Sequence, residues 1–251
     1  MAREQGSGKR TSDQVEEHII RAILDGTFPP GSALPGERDL ARQFGVARPT
    51  LREALQRLAR DGWITIRHGQ PASVNYFWRE GNLNVLDRLV QHAEHLSPDF
   101  ITQLLEVRAA LAPAFSRAAV ARHPAKVVAA LAGSEDLDDD PAAYAAFDWE
   151  LQRTLALLSD NPVFLLMLNG CSTLYARAAH QYFARAENRT ASRNFYHRLL
   201  NAAMACDPDR AATAVSEAML ESITLWQATV RTQPPEASRI TGLQAEGGGH
   251  P

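Results

Sequence analysis

Hydrophobic residues recur at helical spacing from the start of the chain. Val15, Ile19, Ile20, Ile23 and Leu24 fall on one side of a helix expected over residues 12–25, with Thr11 and Ser12 able to cap it and Gly26 to end it. Phe28-Pro29-Pro30-Gly31 reads as a turn and Ser32–Leu34 as a short strand. A helix follows over about 37–44, closed by Gly45, and another over about 48–61, whose Leu51, Leu55 and Leu58 form an apolar stripe and which Gly62 ends. Trp63–Arg67 and Ala72–Tyr76 read as two strands around the turn His68-Gly69-Gln70-Pro71.

Beyond Gly81 the alternation typical of strands disappears. Helical patterns fall near 83–95, 98–122, 124–132, 141–159, 162–187, 190–206 and 208–231, punctuated by Pro98, Pro124, Pro141, Pro162 and Pro208. The pattern predicts a mainly α protein. A winged helix-turn-helix (α with a small β wing) spans 1–76, a linker 77–81 and an all-α bundle 82–232; 233–251 form a flexible tail rich in Pro and Gly, and residues 1–10 are expected to be loose.

Helix, turn, helix and two-stranded wing, in that order, place a helix in the major groove of DNA. On a period of about 100° per residue, Arg48 and Arg52 lie together beside the leucine stripe, so the helix can pack while two guanidinium groups project. Arginine can present two parallel donors to O6 and N7 of guanine. Arg38, at the start of the preceding helix, suits a phosphate, as does the Thr50 hydroxyl; His68 and Gly69 form a wing tip that can approach the duplex. Arg57 and Arg60 read as solvated or ion-paired surface residues.

Charge is consistent with this division. The chain carries a net −3, but residues 1–78 hold 11 Lys+Arg against 9 Asp+Glu, and the remainder 15 against 20. A mildly basic head on an acidic body suits a protein that meets phosphate at one end. The chain has no apolar run of membrane-spanning length and no secretion signal at its start, so it reads as cytoplasmic and nucleoid-associated. Cys171 and Cys206 are expected to be buried free thiols. A Gly-rich phosphate loop, a metal triad and a nucleophile elbow are all missing, and Asp148 and Glu150 point to different sides of their helix, so no catalytic residues are assigned.

Residues 11–78 resemble the winged helix-turn-helix of the GntR superfamily of bacterial transcriptional regulators. Leu51-Arg52-Glu53-Ala54-Leu55-Gln56-Arg57-Leu58-Ala59-Arg60-Asp61-Gly62-Trp63, His68-Gly69 and Asn75-Tyr76-Phe77-Trp78 are most similar to its fatty-acid-responsive members. The likeness extends over about residues 12–230 through Arg122-His123-Pro124, Asn161-Pro162, Leu168-Asn169-Gly170, Leu174-Tyr175, Tyr182-Phe183-Ala184, Phe195-Tyr196-His197 and Glu221-Ser222. It implies operator contacts by Arg38, Arg48, Thr50, Arg52, His68 and Gly69. Three departures imply weaker or altered contacts: Ala47 stands where a threonine cap is expected, Pro49 has no N–H for a phosphate, and Gln70 replaces a wing-tip lysine.

Many bodies of this superfamily hold a metal that grips an organic acid. Here Gln152 stands where a histidine ligand would fall, and Leu220 where another is wanted, which leaves His197 as a packing or hydrogen-bonding residue and no metal site. The resemblance instead implies a long-chain acyl-coenzyme A effector and no resident cofactor. It puts Arg108, Tyr182, Ser222 and Trp226 around the ligand. Val215, Met219, Ser222 and Trp226 recur as one stripe of the last helix, a pattern that equally suits core packing. Ala218 and Met219 stand where the relatives carry tyrosine and glycine, and methionine fills space that glycine leaves open.

The expected protein is a homodimeric regulator of fatty-acid degradation and synthesis genes that binds a palindromic operator. Acyl-coenzyme A would release it by moving the heads apart through the 77–81 junction. The alternatives are a GntR-type sensor of another small metabolite such as an organic acid, a DNA-binding protein without an effector, and an enzyme.

Overall fold

The computed structural model describes residues 4–92 and 99–231, which fall into two compact units divided between Ser97 and Pro98. The expected tail over 233–251 and the last residues of the 83–95 helix lie outside the described residues.

The first unit begins with α1 (Glu4–Leu24), α2 (Glu37–Phe44) and α3 (Arg48–Asp61). α1 starts well before the expected Thr11-Ser12 cap. Ser12 lies inside it, fully buried, so the hydroxyl works as a small core side chain rather than a terminus. α1 packs on α3, and Val15, Ile19, Ile20 and Ile23 of the one and Leu51, Leu55 and Leu58 of the other are all buried. Burying each such side chain contributes about 1.5–3 kcal/mol, which sets the roll of α3 about its axis. Gly62 ends α3 at φ +94, a left-handed conformation that a side chain disfavours, and its N–H returns to Ala59 and Leu58 carbonyls.

The wing strands are shorter than expected: β1 (Ile64–Thr65) and β2 (Ser73–Val74) pair antiparallel, Ile64 opposite Val74. The segment around Ala33 joins their edge through a bridge to Ser73 and a Leu34 N–H to Ala72 carbonyl bond of 2.7 Å. The 77–81 stretch is not a free linker. α4 (Phe77–Glu80) stacks Phe77 on the buried Trp63, ring centroids 5.2 Å apart. α5 (Leu83–Gln91) buries Val85 and Leu89 in this same unit, and its Arg88 bonds the buried Glu16 of α1. The division therefore lies further along the chain than the Pro/Gly punctuation implied, because α5 has apolar positions that α1 and α3 leave a surface for.

The second unit is helical throughout its described residues: α6 (Asp99–Arg122), α7 (Pro124–Leu131), α8 (Pro141–Leu158), α9 (Pro162–Asn169), α10 (Ser172–Phe183), α11 (Ala186–Met204) and α12 (Pro208–Arg231), with a 3-10 turn over Ala132–Ser134. Proline in the first turn and a side-chain cap start two of them: Asp140 accepts from Ala143 N–H at 2.9 Å, and Asn161 from Val163 N–H at 3.1 Å. The single helix expected over 162–187 is broken at Gly170-Cys171, where glycine makes helix continuation costly. α6 and α12 run along one another, and α8 and α11 complete the core around Phe115, Tyr144, Leu155, Tyr196, Leu199 and Val215. The cysteines are free but not both buried. Cys206 is exposed at φ +51, in the left-handed position that ends α11, and Cys171 is half-buried ahead of α10.

Candidate functional site

On α3, Leu51, Ala54, Leu55 and Leu58 are buried, and Arg48 and Arg52 are exposed on the adjoining side, with Thr50 half-buried. Ala47 stands at the N-cap of α3 with no side-chain cap bond, and Pro49 lies in the first turn. Arg38 is exposed in the first turn of α2, 3.9 Å from Asp39. A hydrogen bond links α3 to the start of α2: Arg52 Nε donates to Glu37 Oε2 at 2.7 Å. Glu37 was not among the residues singled out from the sequence; nothing in local periodicity marks a carboxylate fifteen residues ahead of its partner. His68 and Gly69 sit exposed at the wing tip, where Gly69 takes φ +73 with open space around it. Arg57 and Arg60 are ion-paired, Arg57 to Asp13 and Glu53 at 2.5 Å each and Arg60 to Asp61 at 2.9 Å. Arg48 makes no ion pair among the described residues, and Arg38 and Arg52, though each has a carboxylate neighbour, keep side chains that are 73% and 65% exposed.

The second unit holds a buried polar cluster. Arg108 on α6 donates through Nη2 to Asp148 Oδ2 on α8 at 3.0 Å. Tyr175 on α10 donates to the same oxygen at 2.5 Å, and Tyr196 on α11 to Asp148 Oδ1 at 3.2 Å. The Arg108 guanidinium also lies 5.7 Å from the Tyr175 ring centre. Burial, the largest influence on Arg108, opposes its charge; the Asp148 carboxylate, next in size, favours it, and the group lies above its ordinary value. Burial and then the Asp148 charge push the Tyr175 and Tyr196 hydroxyls well up, and burial raises Tyr182. All three therefore remain protonated donors at neutral pH. Gln152, one turn from Asp148, is buried, and neither of its amide atoms has a hydrogen-bond partner among the described residues.

Of the residues expected around a ligand, Arg108 and Tyr182 belong to this cluster and interact electrostatically. Met219, Ser222 and Trp226 share a face of α12, with Met219 in the core and Trp226 buried, its indole N–H without a hydrogen-bond partner among the described residues. The Ser222 hydroxyl is bonded to the Met219 carbonyl at 2.7 Å. Sequence reasoning weighed Asp148 only as half of a catalytic pair with Glu150 and named Tyr175 and Tyr196 only as points of resemblance, without joining the three. The available signal was Tyr144, Asp148 and Gln152 at four-residue intervals on the buried flank of α8. His197, expected to pack or bond, is surface-exposed and 4.0 Å from Glu135.

Residues 11–74 match the family described as bacterial regulatory proteins, gntR family, and residues 75–237 the FadR C-terminal domain. The chain belongs to the GntR family and carries a FadR-type C-terminal domain. It is 41% identical over 234 residues to the fatty acid metabolism regulator protein of Shewanella halifaxensis, covering 92% of this chain and 96% of that protein. The protein of the same name from Yersinia pestis is 41% identical over 222 residues, covering 88% and 93%. A solved structure of Lar from Listeria monocytogenes has the same fold, with a TM-score of 0.56 at 18% identity, covering 88% of this chain and 97% of that one. This GntR-family chain is a DNA-binding transcriptional regulator, not an enzyme. Among the described residues no helix is long and apolar enough to cross a membrane.

Proposed function

We propose that this regulator controls fatty-acid metabolism genes. It binds a palindromic operator as a homodimer and leaves it when long-chain acyl-coenzyme A occupies the second unit. The observation that carries the DNA half of the reading is the roll of α3: its leucines are buried and Arg48 and Arg52 exposed beside them. Arg38 and Thr50, with His68 and Gly69 on the wing, are the accompanying contacts. The effector half is supported by the names and extent of its relatives and by the buried Arg108–Asp148–Tyr175–Tyr196 cluster. Arg108, Tyr182, Met219, Ser222 and Trp226 are the residues assigned to the ligand, and no resident cofactor or metal takes part.

Genomic fragments captured by the protein supply the operator. Fluorescence anisotropy is expected to show base-selective binding, and Arg48→Ala and Arg52→Ala each to lose discrimination by roughly ten- to a hundredfold. Titration with oleoyl- or palmitoyl-coenzyme A should give heat and weaken operator binding. Operator DNA must then weaken the acyl-coenzyme A affinity by the same factor. Operator binding that micromolar acyl-coenzyme A leaves intact, with no heat of binding, overturns the effector. The packed Ala218 and Met219 would then favour a smaller metabolite such as an organic acid.

A further inference from the structure

We infer that Glu37 is a positioning residue for base reading: its carboxylate takes the Nε–H of Arg52 and thereby aims the two terminal nitrogens at guanine. This rests on the operator-binding reading above. Arginine has five N–H donors in a planar fork. It can address guanine side-on through Nε and one terminal nitrogen, or end-on through both terminal nitrogens. The 2.7 Å bond from Nε to Glu37 Oε2 removes the first mode. Nη1 and Nη2 make no hydrogen bond among the described residues, so the end-on pair stays available.

The neighbouring carboxylates are otherwise engaged: Glu53 with Arg57 at 2.5 Å, and Asp39 with Arg42 at 3.4 Å. Glu37 sits in the first turn of α2, where the helix dipole favours a negative charge. Both side chains are substantially solvent-exposed, and an exposed pair adds little to stability. Such a pair does restrict Arg52 before DNA arrives, which lowers the ordering cost of the bound state. A carboxylate beside phosphates also opposes general DNA affinity, so Glu37 raises discrimination at the expense of non-selective binding. Arg48 has no such partner among the described residues and reads its base without this aid.

The test compares the full-length wild type with Glu37→Ala and Glu37→Gln on the captured operator, on versions with each guanine replaced, and on a scrambled duplex, at fixed salt. For Glu37→Ala, discrimination at the guanine lost in Arg52→Ala is expected to fall by roughly tenfold. Discrimination at the base pair read by Arg48 should stay unchanged, scrambled-duplex binding should tighten, and the melting temperature should match wild type. Glu37→Gln keeps an acceptor for Nε–H and is expected to retain more discrimination than Glu37→Ala. Adding Glu37→Ala to Arg52→Ala should cost no further discrimination. Wild-type discrimination in both Glu37 variants, or a further loss in the double variant, overturns the inference and leaves operator binding standing. A wild type that binds every duplex alike overturns the operator-binding reading, and this inference with it.

Discussion

Guanidinium groups on this protein divide by what they touch. Arg57 and Arg60 are held by carboxylates of their own unit, whereas among the described residues Arg48 has no partner and Arg52 is held through Nε alone, its terminal nitrogens open. The same reasoning applies to the wing, where His68 and Gly69 are exposed and Gln70 follows them with no formal charge. Gln70→Lys restores a cation at a tip that can reach a phosphate. Plotting the logarithm of operator affinity against that of salt concentration should then give a slope steeper by about one phosphate contact. An unchanged slope would mean that the tip does not reach the backbone. Asp148 shows the converse case: one carboxylate receives Arg108, Tyr175 and Tyr196, and a charge that looked idle on its helix becomes the centre of a buried network.

Helices here are located by local chemistry and oriented by distant contacts. Asp140-Pro141 and Asn161-Pro162 start α8 and α9 as their cap chemistry predicts, because a cap needs only residues within one turn. The break at Gly170-Cys171 and the early start of α11 were not legible in this way. α11 opens after Arg185, and the turn before it is held by Arg189, which donates to the Phe183 carbonyl at 2.7 Å and to Asp139 Oδ1 at 2.6 Å. The Arg189 hydrogen bond holds the Asp139 carboxyl below the ordinary carboxylate range. A depressed folded-state value means that the stabilisation is present above the unfolded value of 3.8 and is lost as pH falls through the lower folded one. Asp139→Asn should therefore lower the melting temperature at pH 7. The gap to wild type should close as both are measured at progressively more acid pH; a gap that persists below that range contradicts the linkage.

Across the protein, the two units carry different physics. The first presents exposed cations on a hydrophobic scaffold that includes α5; the second surrounds a charged cluster with apolar helices. Met219 sits in that second core, 3% exposed, at a position where the resemblance to fatty-acid-responsive regulators implies that they carry glycine. Met219→Gly removes a side chain from the core and is expected to lower unfolding stability by about 2–5 kcal/mol, measured by denaturant titration. If acyl chains enter along this face of α12, the same variant should bind oleoyl-coenzyme A more tightly in calorimetry, because the chain fills the space opened. Lower stability with no gain in affinity would place the acyl chain elsewhere.

Apolar spacing, prolines and glycines are local properties, and from them the helical body, the helix-turn-helix, the small wing and the outward face bearing Arg48 and Arg52 could all be read along the chain. Contacts between residues far apart could not. Glu37 meets Arg52 across 15 positions, and Asp148 gathers groups 27, 40 and 48 positions away. The docking of α5 on α1 through Arg88 and Glu16 spans 72. Such pairings depend on how whole helices roll and cross once their apolar faces are buried, and no window of one or two turns contains that information.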